Sequence, residues 1–218
     1  MATQARGVGQ TGRDAILKRI RAAQPSATDG HNVKLSDMVA LLTNPLERFR
    51  QECQGNMTEL IETNTRAETS EALQRVLATL PPGKLFVQDQ TKLHGLLESV
   101  SHSRPTVWSN EQGVPEDTQA TLTLAEALVA QTGSLLSSSA CGGRGASAVP
   151  PCHIVFATTA QILPDIESAL RFAQENGITE RSSYVGLISG SSRTADIEKI
   201  LVLGAHGPRR LVVVMEHV

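Results

Sequence analysis

The chain has 218 residues, of which 40% are apolar and 19% charged, enough for one sizeable α/β domain with a helical extension and a buried core. Aromatic residues make up only 3%, so that core must rest on Leu, Val, Ile and Ala, and a stacking platform for single-stranded nucleic acid is hard to build. A net charge of −2 offers no general attraction for phosphate backbones, and the three cysteines (Cys53, Cys141, Cys152) include no C-x-x-C pair, which argues against a disulfide framework, a zinc site or an iron–sulfur ligand run in this chain.

Residues 1–10 are polar and lack the apolar stretch of a secretory signal, and the apolar runs are far shorter than the ~20 residues of a membrane helix. A cytoplasmic protein without a membrane span, binding no nucleic acid and no metal, is therefore expected. Gly7-Val8-Gly9-Gln10-Thr11-Gly12 matches the dinucleotide fingerprint by letter, but no apolar strand leads into it, as that chemistry requires. Thr11 is expected to cap a helix running to about residue 24, with Ile16, Leu17 and Ile20 as its apolar stripe. Residues 24–32 (QPSATDGHN) read as a linker, and a second helix is expected at Asn44-Pro45, where Asn caps and Pro fits the first turn. Residues 1–56 thus read as a helical arm and linker, and 57–218 as an α/β domain.

Beyond residue 57, strands are expected at 57–63, 84–88, 105–109, 120–124, 134–138, 153–158, 184–189 and 211–216. Helices are expected at 67–79, 91–100, 125–130, 164–176 and 194–203. The alternation, with unbroken apolar runs such as Leu211 to Met215, predicts an α/β fold: a largely parallel open sheet with helices on both faces. Several strands in a row between Trp108 and Pro150 predict an antiparallel addition, and the arm a helical N-terminal extension.

The stretch Tyr184 to Pro208 carries the most chemistry. A strand, the turn Ser189-Gly190-Ser191-Ser192-Arg193 and a helix capped near Thr194 would aim backbone amides at one point, with three hydroxyls and a guanidinium beside them. That arrangement suits a phosphate or carboxylate; equally, Asp196 and Glu198 can serve only to complement the helix dipole, with Arg193 pairing to them. The loop is neither a Walker A sequence nor a nucleophile elbow. His206, in Gly204-Ala205-His206-Gly207-Pro208, is a candidate acid or base, or simply a solvated turn residue. Thr132 and Gly133 belong to a second loop-rich stretch, which continues through Cys141-Gly142-Gly143-Arg144-Gly145; it can approach a ligand or merely connect strands. Cys152 and His153 are adjacent and point to opposite faces of a strand, and His31, His94, His102 and His217 stand in no ligand-like spacing.

The segment SGSSRTADIEKILVLGAHGPRRLVVVMEHV resembles the C-terminal signature of the lactate-utilisation protein C (LUD-domain) family, a G-P-S-R-T-A-D-I-E run followed by G-x-H-G-P and a hydrophobic strand. AEALVAQTGSLL and Pro150-Pro151-Cys152-His153-Ile154 resemble further landmarks, and the likeness spans residues 63–218. Ser191 replaces the usual Pro, and Gln131 stands where an acid commonly precedes Thr-Gly. The resemblance implies a fold similar to the ribose-phosphate isomerase and CoA-transferase group. It implies a role in oxidising L-lactate to pyruvate, with the iron–sulfur clusters on two partner subunits and no cofactor on this chain. From the residues themselves, Ser189, Gly190, Ser191, Ser192, Arg193, Thr194, Asp196, Thr132 and Gly133 are the candidate anion contacts, and His206 the candidate catalytic residue. The alternative is a stand-alone sugar-phosphate or acyl-CoA enzyme, or an anion-binding protein, using the turn from Ser189 to Thr194.

Overall fold

Short apolar runs separated by amphipathic helices pair side by side in the computed structural model, which describes the backbone of residues 8–23, 43–195, 201–203 and 207–218 and the side chains of 12–23, 43–192 and 207–218. The chain divides into two compact units, Met1–Met38 and Val39–Val218. In the first, α1 (Val8–Ala23) starts ahead of Thr11 and takes in Gly9 and Gly12, so these fingerprint letters form helical turns instead of a phosphate-binding loop. Its Ile16 and Ile20 are exposed. The expected linker at 24–32 lies outside the described residues.

The second unit opens with α2 (Pro45–Gly55), where Asn44 Oδ1 accepts from Glu47 N at 3.1 Å, as the Asn-Pro pair predicts. There follow β1 (Glu59–Thr63), α3 (Arg66–Ala78), β2 (Lys84–Val87), α4 (Thr91–Leu97), β3 (Thr106–Trp108) and β4 (Thr118–Leu124). After β5 (Ala127–Val129), β6 (Ser134–Ser138) and α5 (Arg144–Ala148) come β7 (Cys152–Thr158), β8 (Ile162–Leu163), α6 (Ile166–Glu175) and α7 (Ile178–Arg181). The unit closes with β9 (Val185–Ile188), β10 (Arg193–Ala195), β11 (Leu201–Leu203) and β12 (Arg210–Glu216).

Six strands form one parallel sheet in the order β1-β12-β7-β4-β2-β3. Leu73, Val76 and Leu77 of α3 and Leu93, Leu96 and Leu97 of α4 cover one face, packing on Leu85, Leu122, Ile154 and Val212. Phe49 and Cys53 of α2, with Leu128 and Leu135, cover the other over Val155, Leu211 and Val213. Each fully buried Leu or Phe contributes about 1.5–3 kcal/mol. Arg50 grips Glu62 through Nε and Nη2 at 2.8 and 2.7 Å, tying α2 to β1. The helix that sequence placed in the arm is thus part of the second unit's core.

The expected antiparallel addition is a second sheet, β8-β5-β6-β9, in which β6 runs antiparallel to β5 and to β9. Its outer side packs on Ala173 of α6 and Ile178. Two expected helices are strands instead. The run at 125–130 is too short for its periodicity to decide, and pairing with β6 and β8 buries Ala127, Leu128 and Val129 completely as β5. Within the expected helix at 194–203 the described residues are extended: Arg193 to Ala195 pair antiparallel with Leu201 to Leu203, the Leu-Val-Leu run suiting an extended backbone. No helix among the described residues is long and apolar enough to cross a membrane.

Candidate functional site

Four of the residues singled out by sequence come together near the amino ends of β1 and β12. Leu135 faces Ile188 across β6 and β9, which sets Ser134 beside Ser189, and their hydroxyls meet at 2.5 Å. Thr132 Oγ1 joins Ser134 Oγ at 2.6 Å, and the Thr132 carbonyl accepts from Asn56 Nδ2 at 2.7 Å. Gly190, at φ +79°, is required: a Cβ there would lie 2.2 Å from the Asn56 carbonyl oxygen. Gly133 likewise backs onto Glu52. The turn does not open a helix. Ser192 N donates to the Pro208 carbonyl at 2.8 Å and the chain enters β10, so the row of helix-start amides expected there is replaced by strand pairing. Ser191 is buried. Arg193 and Thr194 are described by backbone alone, and Asp196 and His206 lie outside the described residues.

The opposite edge, where the parallel strands end at their carboxyl termini, holds a cluster not assembled from sequence. From β2 the chain turns outward to β3, whereas from β4 it turns the other way to β7, so the topological switch lies between β2 and β4. Open α/β sheets bind ligands outside this point. Gln88, just beyond β2, closes it: its Oε1 accepts from Leu124 N and its Nε2 donates to the Ala140 carbonyl, both at 2.8 Å. Asp89 follows, its amide fixed on Ser109 Oγ at 2.9 Å. Its carboxylate lies 2.7 Å from His94 Nε2, and the His94 ring stacks on Trp108 with centroids 3.6 Å apart and planes 11° from parallel. Both partners are partly exposed. Arg66, at the first turn of α3, donates through Nη2 to the Lys92 carbonyl at 2.7 Å and lies 5.2 Å from the centre of the Phe156 ring. A guanidinium and an oriented imidazole therefore stand at neighbouring helix starts on one edge. The sequence signal was an Asp directly after a buried strand with a His one turn into the next helix.

The glycine-rich loop packs as structure. Gly142 and Gly143 take φ values of +84° and +83°, and a Cβ on Gly142 would press on Phe86 and Ala146 at 3.3 Å. Arg144 lies 5.9 Å from the Tyr184 ring centre. Beside the loop, Glu126 accepts from Ser138 Oγ at 2.6 Å, with Cys141 Sγ 3.8 Å and Arg181 3.7 Å away. Burial pushes the Cys53 thiol up to about 12 and the Cys152 thiol up to about 11, and raises that of Cys141, so none is an activated thiolate. No group of three His, Cys, Asp or Glu side chains among the described residues could hold a metal ion. Gln131 caps α6, its Oε1 accepting from Ile166 N at 3.3 Å. An open cleft of about 690 Å³ lies at the amino edge, but its Arg104 already donates to the carbonyls of Leu77, Leu80, Pro81 and Gly83.

Comparison with known proteins agrees with this architecture. The sequence pattern of the LUD domain matches residues 115–215. The chain is similar to Lactate utilization protein C of Bacillus subtilis, with 27% identity over 91% of this chain and 85% of that one. It is similar to the protein of the same name from Anoxybacillus flavithermus, 28% identical over 75% and 76% of the two chains. It is also 30% identical to the uncharacterized protein YkgG of Escherichia coli, over 76% of this chain and 77% of that one. Among solved structures, a DUF162 family protein from Deinococcus radiodurans shares the fold, with a TM-score of 0.62 at 17% identity over 79% of this chain and 96% of that one.

Proposed function

The chain belongs to the LUD-domain family of lactate-utilisation protein C, and on that premise we propose that it is a subunit of a system that oxidises L-lactate to pyruvate. The observation that carries the proposal is the match, over three quarters or more of both chains, to relatives bearing that name. Lactate gives up two electrons and two protons on becoming pyruvate, so the system needs an electron acceptor. In this reading iron–sulfur clusters on partner subunits take the electrons, in the cytoplasm, while this chain handles substrate or assembly. The burial of Cys53, Cys141 and Cys152 at separate points supports that division, since a cluster needs converging thiolates.

The test is reconstitution. Purified iron–sulfur partners are assayed for lactate-dependent dye reduction with and without the chain; the rate is expected to depend on its presence. An undiminished rate without it overturns the proposal.

A further inference from the structure

Helix α1 is basic in a chain of net charge −2. It carries Arg13, Lys18, Arg19 and Arg21 against the single acid Asp14, a local charge of +3. At about 100° per residue, Ile16, Ile20 and Ala23 fall within about 60° of one another, with Arg13 and Arg19 bracketing that stripe and Lys18 on the opposite side. Ile16, Arg19, Ile20 and Ala23 line one shallow groove. The two isoleucines are 59% and 54% exposed, so the stripe stands open instead of closing a core. We propose that α1 docks on an anionic lipid surface, lying in the headgroup plane with Ile16 and Ile20 inserted and its basic side chains on the lipid phosphates. A second copy of the helix is a poor partner, because +3 would face +3. The few apolar side chains also cover far less than the roughly 800 Å² that each partner brings to a stable protein interface. A fluid bilayer needs no matching shape. The long stems of Arg13 and Arg19 let their charges reach the phosphates while the isoleucines go deeper. The helix itself is not long and apolar enough to cross the membrane. The proposal is independent of the lactate reading.

Vesicle flotation of the full chain tests it. Vesicles of equal parts phosphatidylglycerol and phosphatidylcholine are expected to carry the chain up the gradient, and pure phosphatidylcholine vesicles to leave it behind. Raising salt from about 0.05 to about 0.5 M should release it, since the screening length falls below the size of the contact. Neutralising Lys18, Arg19 and Arg21 to Gln should weaken partition by roughly fivefold for each charge removed. Ile16→Gln with Ile20→Gln keeps the charge and good helix formers, and should lower partition by about tenfold or more. All of these side chains are exposed, so thermal unfolding of each variant should match the native chain. No flotation of the native chain, equal flotation with both vesicle types, or native partition by the paired isoleucine variant would each overturn the proposal. Sedimentation without lipid guards against the other occupant: a dimer that the isoleucine variant dissociates would mean that the stripe docks on a second copy, and the lipid assignment would fall.

Discussion

His153 lies in β7 between the two sheets, with Nε2 2.9 Å from Thr123 Oγ1 and Nδ1 without a partner. Burial lowers its pKa from the ordinary 6.5 to about 4. Above 6.5 the ring is neutral in the folded and unfolded chains alike. As pH falls from there towards 4, the unfolded chain binds a proton that the folded one refuses, and stability declines by about 3 kcal/mol in all. Urea unfolding of the native chain and of His153→Gln at about pH 7 and about pH 5 checks this; the variant should lose less stability on acidification. Equal losses would show that the ring is not what titrates. At this scale the turn glycines were legible, because Gly133 and Gly190 sit at positive φ where other residues strain. The Asp89, His94 and Trp108 group was not. Its members are brought together by strand pairing that sets Val87 opposite Trp108, and no local spacing encodes that register.

The start of α6 shows how an element is held by residues distant in sequence. Asp165 Oδ1 accepts from Ser168 N at 2.7 Å, while Gln131, from the β5–β6 turn, takes Ile166 N. A carboxylate at position 131 can accept from the same amide. Gln131→Ala should cost about 1 kcal/mol, and Gln131→Glu should recover at least the native stability at low salt, read by thermal unfolding. A silent Gln131→Ala would show that the bond contributes nothing. Every expected strand from 57 to 216 has a counterpart in the sheets, because period-two burial and β-branched runs are local properties. The segments at 125–130 and 194–203 were misread because a few apolar residues satisfy either period. For them the partner strand decides, and no partner is visible in a linear window.

For the whole molecule, alternation announced a parallel sheet, but not that β12 would lie between β1 and β7. Pairing of Glu59 with Val212 and of Leu211 with His153 joins β1, at the edge of the sheet, to β7 through β12, and Arg210 bonds Glu59 at 2.8 and 2.9 Å. Removing residues 210–218 should therefore abolish cooperative unfolding, not merely trim an edge, as circular dichroism on heating would show. A truncated chain that still melted in one sharp transition would contradict this. The same placement bears on synthesis. Strand β12 is made after the other five strands of its sheet and fills the gap between β1 and β7, so the growing polypeptide first emerges with each of these offering an open flank. Until β12 emerges, both flanks are open to neighbouring nascent chains, and chaperone binding should be needed most in that interval.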